Sequence, residues 1–150
     1  MRSRRMMSIG ARLALLAVAA VLAVPGPAGA AGGGGGNAAD DLAAALIGTW
    51  EGTKSGAEGG TFESREWRVV FRDSQGNAVI GTKQYKQPNG KWSKREVVNA
   101  VIDSTGHIWA VDTDGVLNGS LSDTGTLEFI YQEPGTKDAA AVIALLERSD

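Results

Sequence analysis

The chain of 150 residues contains no cysteine, one histidine (His107) and only four prolines. Without cysteine there is no disulfide, no thiol nucleophile and no cysteine on which an exported chain can carry a lipid. A single histidine excludes a multi-histidine metal site or relay. Long apolar runs are also missing. The run from Leu13 to Val24 is twelve residues, against about 20 for a helix crossing a ~30 Å hydrocarbon core. Neither a metal nor a cofactor motif stands out, and none of either is expected.

That short apolar run sits in a telling context. Arg2, Arg4, Arg5 and Arg12 precede or open it without any acidic neighbour, Pro25-Gly26-Pro27 ends it, and Ala28-Gly29-Ala30 follows. A basic start, a short apolar stretch and an A-x-A site define a cleavable secretory signal. The expected organisation is a signal peptide over 1–30, a flexible Gly/Ala-rich lead-in over 31–45, and one domain over 46–150. The working protein is then extracytoplasmic, secreted or periplasmic, with no stable membrane anchor after cleavage. Fifteen Lys and Arg fall to eleven when the four arginines leave, against seventeen acids, a balance of −6. Such an acidic surface argues against nucleic acid and against anionic membranes, which attract basic patches. With no disulfide, stability must come from apolar burial and backbone pairing in a single domain.

Turn signals then recur every ten or so residues: Asp73–Asn77, Gln87–Gly90, Asp103–Gly106, Asp112–Gly115, Asp123–Gly125 and Glu133–Gly135. Asp, Asn and Ser bond their own backbone in turns, and Gly accepts the positive φ that turns demand. Between them run alternating segments, as where Trp67, Val69 and Phe71 interleave with Glu66, Arg68 and Arg72. Period two with one face buried is a strand. Counting Ile47 to Lys54 at the front and Ala140 to Arg148 at the back gives about eight strands. The last segment, rich in Ala and Leu, is equally readable as a short helix. Sequential hairpins avoid open edges by closing, so the expected fold is all-β, an antiparallel up-and-down β-barrel of about eight strands.

Leu46-Ile47-Gly48-Thr49-Trp50 resembles the opening strand of the calycin barrels, the lipocalin and avidin group. The resemblance implies that Gly48 and Trp50 belong to a closed barrel floor, with Arg148 of the last strand packed across the indole. Thr113-Asp114-Gly115 matches the second lipocalin signature only in part, there is no room for the helix that follows a lipocalin barrel, and the biotin-holding set of avidins is not found. The chain is also similar in outline to the small periplasmic inhibitors of bacterial metalloproteases, whose flexible arm enters the protease cleft. Here the arm holds Gly32 to Gly36; ordering five glycines costs about 1–2 kcal/mol each in backbone entropy. That family usually carries a disulfide, absent here.

Three classes of function follow. The first is a non-enzymatic barrel that binds a small apolar or amphipathic ligand, with Tyr85, Asn99, Trp109 and Tyr131 lining its cavity. A few polar groups in an apolar pocket suit such a ligand, and buried tyrosines need hydrogen-bond partners. The second is an extracytoplasmic, protease-inhibitor-like barrel that binds a secreted protein through its N-terminal arm. The third is a barrel isomerase or cyclase; no nucleophile and base pair marks it, and no catalytic residue is assigned. His107 reads as a strand-end surface residue and Asp112–Gly115 as a hairpin turn rather than a calcium loop. Asn118-Gly119-Ser120 fits the N-glycosylation pattern.

Overall fold

In the computed structural model, residues 37–135 and 137–150 are described. The signal segment, the Ala28/Ala30 site and the glycine run lie outside the described residues.

Alternation carries through eight strands: β1 (Gly48–Glu58), β2 (Thr61–Gln75), β3 (Ala78–Tyr85), β4 (Glu96–Ile102), β5 (Ile108–Val111), β6 (Val116–Leu121), β7 (Leu127–Glu133) and β8 (Ala140–Arg148). Each pairs antiparallel with its sequence neighbours, and β8 returns to β1 through pairs running from Trp50↔Arg148 to Glu58↔Ala140, so the barrel closes. Closure leaves no free sheet edge. The register of β2 against β3 shifts between Phe71 and Asp73, a bulge at Arg72. The C-terminal segment is a strand because both its ladders and its burial demand one: Ala140, Val142, Ala144 and Leu146 are buried while the residues between them are exposed. Pairing on two sides outweighs the helix propensity of Ala and Leu.

Residues 38–45, assigned above to the flexible lead-in, instead belong to a helix, α1 (Ala38–Leu46). Asn37 caps it, its side chain accepting from Ala39 N at 3.3 Å, and Asp40 and Asp41 complement the positive end of the helix dipole. Ala39, Ala43 and Leu46 fall on one face and are buried against the barrel. Three well-spaced apolar side chains give this short helix the tertiary contact it needs.

The helix covers one end. There Trp50 donates its indole N–H to Leu46 O at 2.8 Å, and the Arg148 guanidinium stands 4.7 Å from the Trp50 ring centroid. Arg148 also donates to Ile47 O, at 2.7 Å, and to Ala45 O. Gly48 has φ +139°, and a Cβ there would collide with the Arg148 guanidinium. Only glycine suits both the conformation and the space. Above this floor the interior is filled by Trp50, Phe71, Ile102, Ile108, Leu127, Phe129 and Leu146, each at most 2% exposed.

Candidate functional site at the open mouth

The inward face changes chemistry half-way along the barrel. On β1 it runs Trp50, Gly52, Lys54, Glu58; on β2, read toward the same end, Phe71, Val69, Trp67, Arg65, Glu63; on β3, Val79, Gly81, Lys83, Tyr85. On β4 it passes from Ile102 to Glu96, and on β7 from Phe129 through Tyr131 to Glu133. Apolar residues thus fill the helix-covered end and charged residues gather at the other. Strand parity forces all of them inside, since successive side chains leave opposite faces.

Two lysines organise the charged end. Lys54 Nζ lies 2.5 Å from Glu58 Oε2 and 2.9 Å from Glu63 Oε1, and Glu63 also pairs with Arg65. Lys83 Nζ lies 2.7 Å from Glu96 Oε2 and 2.6 Å from Asp112 Oδ2. The lysine side chains are only 5% and 6% exposed. Buried ammonium groups require this density of partners, because an unpaired one would be strongly destabilising. Glu63 Oε1 and Asp112 Oδ2 are close to their lysines but accept no aligned hydrogen bond, so the pairs are held by charge more than by hydrogen-bond geometry. Asp112 is braced on its other oxygen, which accepts from Asp114 N at 2.8 Å and Gly115 N at 2.6 Å.

Aromatic rings pack against these charges. Lys83 Nζ is 4.4 Å from the Tyr131 ring centroid and 5.6 Å from that of Trp67, and the two rings meet edge to face at 5.7 Å. Lys54 and Arg65 approach the Tyr85 ring, each at 5.7 Å. Tyr131 donates its hydroxyl to Glu133 Oε2 at 2.9 Å. Gly115 leaves room for this arrangement, because a Cβ there would strike the Tyr131 ring. Between the groups is a cavity of about 180 Å³, walled by Trp67, Tyr85 and Tyr131, floored by Lys54 and Lys83, and rimmed by Glu58, Glu96, Asp114 and Glu133.

Three groups here, Glu58, Lys83 and Tyr131, are pushed toward the form they hold at neutral pH. Burial opposes ionisation of Glu58, but the hydrogen bond it accepts from Lys54 and the charges of Lys54 and Arg65 outweigh it, lowering the carboxyl. Burial likewise opposes the charged form of Lys83, and the adjacent carboxylates of Asp112 and Glu96 more than reverse it, raising the ammonium. Burial raises the Tyr131 phenol, as do its bond to Glu133 and the negative charges of Asp112, Glu133 and Glu96.

Of the four residues expected to line a cavity, Tyr85 and Tyr131 do so. Asn99 and Trp109 do not. Val98, Ala100 and Ile102 are the inward residues of β4, and Ile108 and Ala110 those of β5, which turns Asn99 and Trp109 outward. Trp109 is 51% exposed and, with Asn99, Val101, Val111, Val116 and Asn118, lines a separate groove of about 420 Å³ on the outer wall. Its indole N–H donates to Asp103 Oδ2 at 3.1 Å, and His107 sits edge-on to it at 4.6 Å. Phe62 is 95% exposed beside the Gly59-Gly60 turn. Lys54, Glu58, Glu63, Lys83, Glu96 and Asp112 are absent from the sequence expectation, which follows aromatic residues. Their signal is parity: each charged side chain falls in step with buried apolar residues of its own strand or, for Asp112, of the strand just before it.

Among the described residues no group of three or more His, Asp or Glu is placed to hold a metal ion. No protein-family model matches the chain, and no curated protein aligns with it.

Proposed function

We propose that this chain is an exported, calycin-like barrel that binds a small amphipathic molecule at its open mouth, without catalysing its conversion. The observation that carries the reading is the cavity itself, a recess with aromatic walls and charged rim in a barrel whose other half is filled. Concave sites with a few placed polar groups are where small ligands bind. The packed floor narrows the range of occupants, because a wholly apolar guest has no apolar chamber to enter. A ligand with a polar head at the rim and a small apolar body against Trp67, Tyr85 and Tyr131 fits.

The direction of the pKa shifts favours binding over turnover. An acid–base catalyst is tuned toward the operating pH, whereas Glu58, Lys83 and Tyr131 are each driven away from it. A barrel isomerase is the second reading, favoured by the buried phenol of Tyr131 against the Glu133 carboxylate. It requires loss of turnover in Tyr131→Phe with binding retained.

Fluorescence titration tests the binding reading, since Trp67 borders the cavity. Amphipathic small molecules should change tryptophan emission saturably, and Asp114→Phe, which narrows the rim without touching either lysine, should weaken the response. Absence of any saturable response across charged and neutral probes overturns it.

A further inference from the structure

The charges around the mouth are unequal, and the imbalance selects the occupant. Each buried lysine is already shared between two carboxylates, Lys54 by Glu58 and Glu63 and Lys83 by Glu96 and Asp112. Arg65 is engaged by Glu63. Two further carboxylates, Asp114 and Glu133, line the same cavity, and among the described residues neither has a basic partner. Lys54, Arg65 and Lys83 therefore face six carboxylates in this end of the barrel. Glu133 uses one oxygen to accept from Tyr131, and that neutral donor leaves its charge in place. Lys54 and Lys83 each stand over one face of Tyr85 and Tyr131 respectively, so positive charge in the cavity is set by the protein on one side and missing on the other.

Resting on the mouth-binding reading, we infer that the ligand is a small organic cation, a protonated amine on a single ring or short alkyl chain, seated between Asp114 and Glu133. An anion placed there meets two unneutralised carboxylates and has to compete for lysine donors already held by others. A neutral molecule leaves the rim charges as they are. A cation completes the alternation of sign across the recess, and its attraction to two carboxylates on one rim is favourable. The volume, about 180 Å³, lies below the roughly 300–1,000 Å³ of drug-sized sites. That limits the ligand to one ring or its equivalent. A bare metal ion is a poorer occupant, since no three carboxylates converge on one point among the described residues.

Calorimetric titration of the purified chain with phenethylamine, phenethyl alcohol and phenylacetate separates the charge classes on nearly one scaffold. Phenethylamine should bind most tightly, lose affinity as salt is raised, and bind about tenfold or more weakly, about 1.4 kcal/mol, to the Asp114→Asn, Glu133→Gln double variant. Glutamine at 133 still accepts the Tyr131 hydroxyl, so thermal unfolding of the double variant should match that of the parent and exclude a folding defect. Phenylacetate or phenethyl alcohol binding as tightly as the amine, or an unchanged amine affinity in the double variant, overturns the cation preference while leaving mouth binding standing. If none of the three binds, this inference and the mouth-binding reading fall together.

Discussion

Lys83 and Asp112 meet at 2.6 Å inside the barrel, with the carboxylate side chain fully shielded from solvent and the lysine 6% exposed. The contact ties the middle of β3 to the turn that follows β5, which are not neighbouring strands. It holds the Asp112–Gly115 turn against the cavity wall, and Glu96 adds a second carboxylate to the same ammonium at 2.7 Å. Removing one partner leaves an uncompensated buried charge. Lys83→Met should therefore cost about 3–5 kcal/mol in denaturant unfolding. Combining it with Asp112→Asn should cost less than the two single changes added together, which a double-mutant cycle measures. Additive losses would show the two groups to be uncoupled.

Stability against pH should form a plateau with two separate edges. Glu58 has a folded pKa below its ordinary 4.5, so its contribution is present above that value and is lost as pH falls through the folded one. Lys83 has a folded pKa above 10.5, so its contribution is complete below that value and lost as pH rises through the folded one. Thermal melts should flatten between these limits. Glu58→Gln should soften the acid edge, and Lys83→Met should abolish the alkaline edge.

The floor offers a sharper mutational contrast. Arg148→Ala removes a guanidinium from the Trp50 face and two hydrogen bonds to the end of α1. A loss of about 2–4 kcal/mol is expected from a cation–π contact and charged hydrogen bonds together. Gly48→Ala should also destabilise, through both its positive φ and the collision with Arg148. Lysine at 148 should recover only part of the loss, since it lacks the planar fork. Full recovery would mean that charge alone matters there.

Indole position should separate inside from outside. Trp67 is 1% exposed and Trp109 is 51% exposed. Trp67→Ala should cost about 3–5 kcal/mol, as large-to-small core changes do, whereas Trp109→Ser should stay within about 0.5–1 kcal/mol. Equal losses would contradict the assignment of Trp109 to the outer wall.

Export is tested at the N-terminus. Cleavage after Ala30 should yield a mature chain beginning at Ala31, read directly by N-terminal sequencing of the secreted material. Replacing Ala28 and Ala30 with large residues should leave the precursor uncut, because the peptidase site requires small side chains there. A chain found uncut in its parent form would overturn the cleavage site.

Eight strands, their turns and the antiparallel order were legible in the sequence because each depends on local chemistry. Gly and Asp/Asn punctuation sets the turns, and period-two alternation sets which side chains share a face. Local chemistry did not decide α1, because the alanines of 38–46 become a helix only when Ala39, Ala43 and Leu46 find the barrel end to pack against. It left the form of the last segment open as well, until β1 and β7 supplied ladders on both sides. The mouth shows the same division. Alternation was enough to orient Lys54, Lys83, Glu96 and Asp112 inward, as it was to turn Asn99 and Trp109 out. Only closure of the barrel brought those four charges from β1, β3, β4 and the turn after β5 into one recess. A charged residue on a buried face is tolerable solely when its partners arrive from other strands, and sequence order carries no record of which strands those are.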